Sequence, residues 1–291
     1  MTNEWDLPDI NRLPYDREGD RIRYGLSLIA NTAYYFGPHG KLAVLTNGMN
    51  CQDCHPDGGT KYYGNCFSAV ASFYPTYRPR SGRVESIEFR VNDCMKRSLN
   101  GQPIDSLSKE MRAIVAYLKW LGKDVPREIK PKGANIEELP VLNRAADTTK
   151  GRQVYINKCQ SCHGINGEGA LKADKSGFIY PPLWGPHSYN TGAGLFRLSR
   201  FAGFVKNNMP SGTASYNNNL LTNEEAWDVA AFVNSKPRPE KSFQGDWPDI
   251  TKKAFDYPYG PYADGFTESQ HKYGPFTPIK EAIEKTRKGI K

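Results

Sequence analysis

No segment of this 291-residue chain is long and apolar enough to cross a membrane as a helix. Residues 24–36 are apolar in part, but Asn31 and Thr32 interrupt them, and the mean hydropathy of the chain is −0.66. Residues 1–21 contain no apolar run of the length that a secretory signal requires. The sequence therefore predicts no membrane span. If the protein is exported, we expect its signal to have been removed already.

Acidic residues and histidines are both in short supply. The chain has 31 Asp and Glu against 39 Lys and Arg, which gives a net charge of +8, and it has five histidines. An excess of positive charge favours anionic partners or substrates, and no feature predicts binding to nucleic acid. The 27 glycines and 21 prolines predict much irregular chain. The length fits two domains of ordinary size.

Four of the six cysteines lie in two C-x-x-C-H motifs. In such a motif the two thiols add to the vinyl groups of a haem and the histidine ligates its iron. A zinc site would need four ligands in paired clusters, and a disulfide would leave both histidines without a role. Thioether attachment implies an oxidising compartment, so we expect the periplasm. The predicted cofactors are two covalently bound haems c, held by Cys51, Cys54 and His55 and by Cys159, Cys162 and His163.

Each motif lies between two helical patterns with a long irregular loop, and this arrangement occurs twice. An apolar stripe ends near Gly37, and a second follows Ser108 as N-cap. In the second half, residues 149–158 lead into the motif, and Thr222 with Glu225 forms a capping box for the closing helix. The repeat predicts a mainly α fold of two class I cytochrome c-like domains in tandem with long irregular loops and an extended C-terminal tail. The predicted boundaries are 1–125 and 147–236 for the domains, 126–146 for the linker and 237–291 for a surface-wrapping tail.

The sixth ligand of the second iron has two candidates. Met209 lies 46 residues after His163, directly before Pro210 and the closing helix, where small cytochromes place a methionine ligand. Methionine is also a common filler of apolar cores. Lys206 competes as a ligand if burial removes the proton from its amine.

The first domain has no methionine in the equivalent place followed by a proline. Met95 and Met111 are the downstream choices, and Cys66 and Cys94 lie between the motif and the closing helix. Cys94 is either a thiolate ligand of the first iron or the partner of Cys66 in a disulfide, which an oxidising compartment permits.

Basic residues surround Cys94. Residues 61–100 contain seven Lys and Arg and three Asp and Glu. Cations lower the pKa of a thiol, and arginine is suited to oxyanions. Arg80 and Arg90, which we place on a loop and a short strand leading to Cys94, are therefore candidate anion-binding residues. The plainer interpretation pairs such arginines with haem propionates or with Glu85 and Glu88.

Nine segments together match a known family: Asn50–His55, Gly59–Thr60, Tyr63–Asn65, Tyr77–Arg80, Arg90–Met95, Arg97–Gly101, Pro181–Gly185, Gly192–Gly194 and Asn208–Pro210. They resemble the dihaem thiosulfate dehydrogenases, or tetrathionate synthases, which are related to the haem subunit of the sulfur-oxidising complex. The resemblance covers about residues 15–240, but Cys66 and His187 depart from the family pattern. It implies Cys94, Arg80 and Arg90 as catalytic residues, with His55 and Cys94 on the catalytic haem. It also implies His163 with Met209 or Lys206 on the electron-transfer haem.

The resemblance implies an enzyme that couples two thiosulfate ions into tetrathionate, or runs the reverse reduction, and exchanges electrons with a small redox protein. Two other functions fit the motifs. A dihaem electron carrier would have closed irons and no anion site. A dihaem peroxidase would need an iron that opens to peroxide, which a Cys94 ligand does not suit.

Overall fold

The computed structural model describes residues 5–287, and these residues are mainly helical, as predicted. None of their helices is long and apolar enough to cross a membrane. Twelve α-helices lie in the described part of the chain. They are α1 (Arg17–Ala30), α2 (Thr32–Phe36), α3 (Pro56–Gly59), α4 (Val70–Phe73), α5 (Ile87–Arg97), α6 (Lys109–Leu121), α7 (Thr148–Lys158), α8 (Gln160–His163), α9 (Leu198–Asn208), α10 (Asn223–Asn234), α11 (Glu268–Tyr273) and α12 (Thr277–Arg287).

Within residues 5–287 the strands are short and form three two-stranded antiparallel pairs. The strands are β1 (Gly64–Cys66), β2 (Thr76–Arg78), β3 (Arg83–Glu85), β4 (Asn135–Ile136), β5 (Ala170–Leu171) and β6 (Phe178–Tyr180). The pairs β2–β3 and β5–β6 are local hairpins, whereas β1 pairs with β4, and α5 and α6 lie between these two strands in the sequence. These pairs shape loops rather than a layer of the core.

The first core forms where α1 crosses α6. The backbones meet at Gly25, where a Cβ atom would lie 2.1 Å from the Ala113 carbonyl oxygen, so only glycine fits. The predicted N-cap of α6 is confirmed, because the backbone N–H of Met111 donates to Ser108 Oγ at 3.1 Å. Residues from α1, α5 and α6 bury their apolar sides together.

The second core repeats this construction with α7 and α10. A Cβ atom at Gly151 would lie 1.9 Å from the Asp228 carbonyl oxygen, so a glycine again marks the closest approach of the first and last helices. The predicted capping box is present: Glu225 N–H donates to Thr222 Oγ1 at 3.1 Å, and Thr222 N–H donates to Glu225 Oε2 at 2.8 Å. The internal repeat seen in the sequence is therefore a structural repeat.

The two halves pack directly against each other. Phe178, in β6 of the second half, belongs to the first core. Buried Asn190 binds the C-terminal end of α5. The Asn190 Nδ2 donates to the Lys96 carbonyl at 2.9 Å, and the Asn190 N–H donates to the Arg97 carbonyl at 3.2 Å. The last carbonyl groups of α5 thus find partners in the second half.

The segments outside the two predicted domains are also packed. In the predicted linker, Ile136 is buried in the second core. The tail runs along both halves, but it also inserts Phe276 and Ile279 into that core, so its role is more than wrapping the surface. The short helix predicted near 279–287 is confirmed as α12.

Candidate functional site

The first C-x-x-C-H motif is held against α2 by its own backbone. The N–H of Cys51 donates to Thr32 Oγ1 at 3.0 Å, and the N–H of Ala33 donates to Asn50 Oδ1 at 3.0 Å. Asp53 closes the turn, since its Oδ2 accepts from the Asn50 N–H at 2.8 Å. The motif therefore has a fixed position relative to the first core.

The ring of His55 is oriented by the strand that follows the motif. Its Nδ1 lies 2.7 Å from the Asn65 carbonyl oxygen, and the ring stacks on Phe67 with 4.2 Å between centroids. Burial lowers the pKa of His55 to about 4, although the bond to Asn65 opposes this. The imidazole is thus neutral, and its Nε2 has only a long contact of 3.4 Å with Asn65 Nδ2.

The second motif repeats this arrangement with different partners. The Nδ1 of His163 lies 2.9 Å from the Pro181 carbonyl oxygen, and burial lowers the pKa of this histidine as well. Tyr155 donates to the carbonyl of Gly164 directly after the motif at 2.5 Å. The ring of Tyr155 lies against Trp184 with 5.0 Å between centroids, which gives this motif an apolar wall.

Both motifs fit a covalently attached haem. In each, a backbone carbonyl takes Nδ1, which leaves a neutral Nε2 as the metal-binding atom. Burial raises the pKa of Cys51 to about 12 and that of Cys159 to about 11, so these thiols are not exposed redox thiolates. Within residues 5–287, no three His, Cys, Asp or Glu side chains group as a metal site, and the zinc alternative needs such a group.

Cys94 lies on α5 beside the first motif. Burial is the main cause that raises the pKa of Cys51 and of Cys54, and proximity to Cys94 adds to it. Arg90, one turn earlier on α5, is affected too: proximity to Cys94 is the main cause that raises its pKa. Arg90 in turn helps to lower the pKa of His55. Arg90 therefore lies close enough to both His55 and Cys94 to interact with each.

The structure does not contain the disulfide that would have joined Cys66 to Cys94. Both thiols are free, and they have different surroundings. Cys66 is 3% exposed in β1, where its main neighbours are Ser68 and Tyr117. Burial raises the pKa of Cys66, so this buried thiol is protonated and unreactive.

The two predicted anion-binding arginines meet at Asp93. Arg80 Nη2 and Arg90 Nη1 both donate to Asp93 Oδ2, the second at 2.8 Å, and Arg97 Nε donates to Oδ1 at 2.7 Å. Arg80 lies in the turn between β2 and β3, but Arg90 is on the same helix as Cys94, so the predicted short strand is wrong for Arg90. The segment forms a helix instead, because Ser86 Oγ caps the start of α5 by accepting a hydrogen bond from the Phe89 N–H.

No role was predicted for Asp93 from the sequence, but it lies at the centre of these contacts. Burial raises its pKa, yet Arg80, Arg90 and Arg97 outweigh burial and hold the pKa below its ordinary value. Asp93 is therefore a buried anion that orients three cations. Its spacing of three residues from Arg90 and four from Arg97 on a helix was the signal for this role.

The two candidate ligands of the second iron have different surroundings. Met209 is the C-cap of α9, partly buried against the second core. Lys206 Nζ donates to the Leu221 carbonyl at 3.2 Å, so its ammonium group already has a partner. His187 lies exposed on a loop, which fits the plainer interpretation of a surface histidine.

Two family models match separate parts of the chain. Residues 43–126 match the cytochrome c domain of SoxA/TsdA, and residues 148–237 match cytochrome c. The two halves are therefore cytochrome c domains in tandem, and each carries a covalently bound c-type haem.

Curated relatives cover most of the chain. A thiosulfate dehydrogenase of Allochromatium vinosum is 42% identical over 237 residues, which are 80% of this chain and 84% of the relative. A thiosulfate dehydrogenase of Psychrobacter arcticus is 35% identical over 84% of this chain and 71% of the relative.

A solved structure has the same architecture. The thiosulfate dehydrogenase (TsdBA) from Marichromatium purpuratum superposes with a TM-score of 0.75 at 28% identity, covering 94% of this chain. The aligned part is 54% of that solved chain, so the present chain spans about half of its length.

Proposed function

The chain belongs to the thiosulfate dehydrogenase family, and from this premise we propose that it joins two thiosulfate ions into tetrathionate at Cys94. The protein is an oxidoreductase of the cytochrome c type. The observation that carries the proposal is the position of Cys94, next to the first haem motif and on the same helix as Arg90.

The proposed chemistry balances in two steps. In the first, the Cys94 thiolate forms an S–S bond to the outer sulfur of one thiosulfate, and two electrons leave the pair. In the second, another thiosulfate attacks the sulfur that lies between Cys94 Sγ and the sulfonate group of this adduct. This forms tetrathionate, breaks the bond to Cys94 and returns the Cys94 thiolate. When bound, the two haems supply acceptors for one electron each.

The arginines address the charge problem of this reaction. Two thiosulfate dianions repel each other, and preorganised cations offset that repulsion. Arg80 and Arg90 give one nitrogen each to Asp93, so the guanidinium groups retain further N–H donors for a sulfonate. Asp93 keeps both groups in place before substrate arrives.

We further propose that His55 and Cys94 would be the protein ligands of the first haem iron, and His163 and Met209 those of the second. A thioether ligand raises the potential of a c-type haem, so Met209 favours electron flow towards the second domain. The hydrogen bond from Lys206 to Leu221 supports Met209, because a lysine ligand would have to break that bond and lose a proton.

The setting of the reaction follows from the cofactor. Covalent haem attachment requires free thiols delivered to an oxidising compartment, so we place the protein in the periplasm with a small redox protein as electron acceptor. The same route operates in reverse when that partner supplies electrons and tetrathionate is present.

The test is an assay of the purified holoprotein with thiosulfate and ferricyanide, in which tetrathionate is quantified. We expect one tetrathionate for two ferricyanides reduced, and no significant oxidation of a dye by hydrogen peroxide. If the haems exchange electrons with an added redox protein but the holoprotein does not oxidise thiosulfate, the protein is instead an electron carrier. Peroxide turnover would establish a peroxidase.

A further inference from the structure

A basic cavity lies on the outer side of the Asp93 group. Its volume is about 380 Å³, enough for about a dozen water molecules at roughly 30 Å³ each. Five basic side chains line it against three acidic ones, Glu85, Asp93 and Asp246. The five are Arg80, Arg83, Lys96, Arg97 and Lys241.

Three of these cations have no carboxylate partner. Among residues 5–287, no ion pair involves Arg83, Lys96 or Lys241. Each acidic residue has a partner in the cavity wall: Asp93 and Asp246 bind Arg97 at 2.7 Å each, and Glu85 Oε1 accepts from Ser81 at 2.7 Å, while Glu85 Oε2 and Asp246 Oδ2 accept no hydrogen bond. The cavity therefore keeps a surplus of positive charge that no side chain neutralises.

Arg83 and Lys96, two of these three cations, lie over one aromatic ring. The Arg83 guanidinium lies 3.9 Å and the Lys96 Nζ 5.8 Å from the centroid of Phe89, which also lines the cavity. These cation–π contacts stabilise both groups beside the ring. The buried Nη1 of Arg97 also has no hydrogen-bond partner.

The cavity lies on one face of α5, and Cys94 lies on another face of the same helix. At 100° per residue, Phe89, Asp93 and Lys96 share one face of this helix, and Arg90 and Arg97 lie between that face and Cys94. Arg80 connects the two sides, because it lines the cavity and also binds Asp93 beside Arg90.

The C-terminal tail completes the cavity wall. The N–H of Trp247 donates to the Arg80 carbonyl at 2.6 Å, and Arg97 Nη2 binds Asp246 Oδ1 at 2.7 Å. The N–H of Lys241 donates to Thr191 Oγ1 at 2.9 Å, which anchors the tail to the second domain. Turn, helix and tail thus build one site from three distant parts of the sequence.

We propose that this cavity is an outer binding site for the sulfonate group of the second thiosulfate before it reaches Cys94. The inference rests on the proposed function and adds a residue set to it: Lys96 and Lys241, with Arg83 at the opening. A concave basic site raises the local concentration of a dianion that would otherwise be repelled by the first.

The test compares two holoprotein variants that each lose two positive charges. Lys96→Gln/Lys241→Gln removes the cavity lysines, and Lys130→Gln/Lys132→Gln removes two exposed lysines of the linker as a matched control. We expect the cavity variant to raise KM for thiosulfate about tenfold, which corresponds to about 1.4 kcal/mol, with kcat nearly unchanged. The control should leave KM within about twofold of the unaltered protein, since exposed distant charges are screened.

A second measurement uses sulfate, an inert dianion, in calorimetric titrations of the same oxidised holoproteins. The cavity variant should bind sulfate about tenfold more weakly than the control variant. Equal KM values and equal sulfate affinities in the two variants would overturn the outer site while leaving thiosulfate oxidation intact. Absence of thiosulfate oxidation in the unaltered protein would instead overturn the proposed function, and the sulfate titration would still decide the cavity.

Discussion

The two cytochrome c domains share a scaffold and differ in one helix. Both use a glycine to bring the first and last helices together, and both hold the histidine of the motif through Nδ1 and a backbone carbonyl. The helix before the closing helix differs: α5 carries Cys94 among charged residues, whereas α9 is mostly apolar and ends at Met209. The corresponding helices of the two domains therefore differ in charge and in the sulfur side chain that they carry.

The difference extends to what stabilises each helix. Buried Asp93 and Arg97 on α5 bind each other, Asp93 also binds Arg80, and Arg97 also binds Asp246. On α9, the side facing the core consists of residues such as Phe201 and Phe204. Buried charged groups on a helix cost desolvation energy, while buried apolar side chains stabilise the core of their domain.

The largest expected effect comes from removing the sulfur that distinguishes the first domain. Cys94→Ala should reduce thiosulfate oxidation and tetrathionate reduction by at least about a thousandfold, because the sulfur carrier is lost. Both haems should remain attached, and the second should still be reduced by dithionite. The matched variant Cys66→Ala alters the buried free thiol in β1 and should keep its activity. Near-normal turnover in Cys94→Ala would refute the sulfur mechanism.

A smaller loss is expected from Asp93→Asn. This change removes the carboxylate that binds Arg80, Arg90 and Arg97, and the loss of charge-assisted contacts of about 1.5–3 kcal/mol should lower kcat/KM about 10- to 100-fold. The loss should come mainly through KM, with haem content unchanged. Steady-state kinetics beside the exposed control Asp124→Asn checks this. Identical kinetics would assign the arginines to a purely structural role.

A change in the second domain should alter potential rather than substrate binding. Met209→Gly should lower the potential of the second haem and slow the exit of electrons, because the thioether ligand is lost. Redox titration of both haems measures this, with Lys206→Gln as the paired variant. If Lys206→Gln shifts the potential and Met209→Gly does not, lysine is the ligand.

The smallest expected effect comes from the C-terminal tail, which contacts both domains. Asp256 is buried, and it binds Arg197 Nε at 2.8 Å and the Ser199 N–H at the start of α9 at 3.0 Å. Burial raises its pKa, but Arg197 and Ser199 outweigh burial and hold the pKa below its ordinary value. The stability from this contact is therefore present at neutral pH and lost as pH falls below about 4.

Asp256→Asn should accordingly reduce the free energy of unfolding by about 1–3 kcal/mol at pH 7. The difference from the unaltered protein should be smaller at pH 3 than at pH 7, because below about pH 4 the unfolded chain takes up a proton at Asp256 that the folded protein binds only at lower pH. Urea denaturation of the holoproteins at both pH values measures it. A difference that is the same at both pH values would show that the carboxylate charge contributes nothing.

The repeat and the haem motifs were predictable because each depends on residues close in sequence. The caps at Ser108 and Thr222 and the C-x-x-C-H spacing are local signals, and the structure confirms both caps. The pairing of Arg80 with Asp93 was not predictable, because it depends on how the β2–β3 turn folds onto α5.

The cavity wall was the least predictable part of the site from the sequence. Lys241 and Asp246 reach α5 only because the tail is anchored at Thr191 and Arg80. No periodicity or motif marks such contacts between distant segments. The tail composition, rich in proline, tyrosine and lysine, predicted an extended course but not its neighbours.

The most direct test of the central claim, that Cys94 sets the first domain apart as the site of sulfur chemistry, is electron paramagnetic resonance of the oxidised holoprotein. We predict two low-spin haem signals, one with the signature of a thiolate ligand. That signal should disappear in Cys94→Ala and persist in Cys66→Ala. Two signals that are the same in all three proteins would contradict the claim.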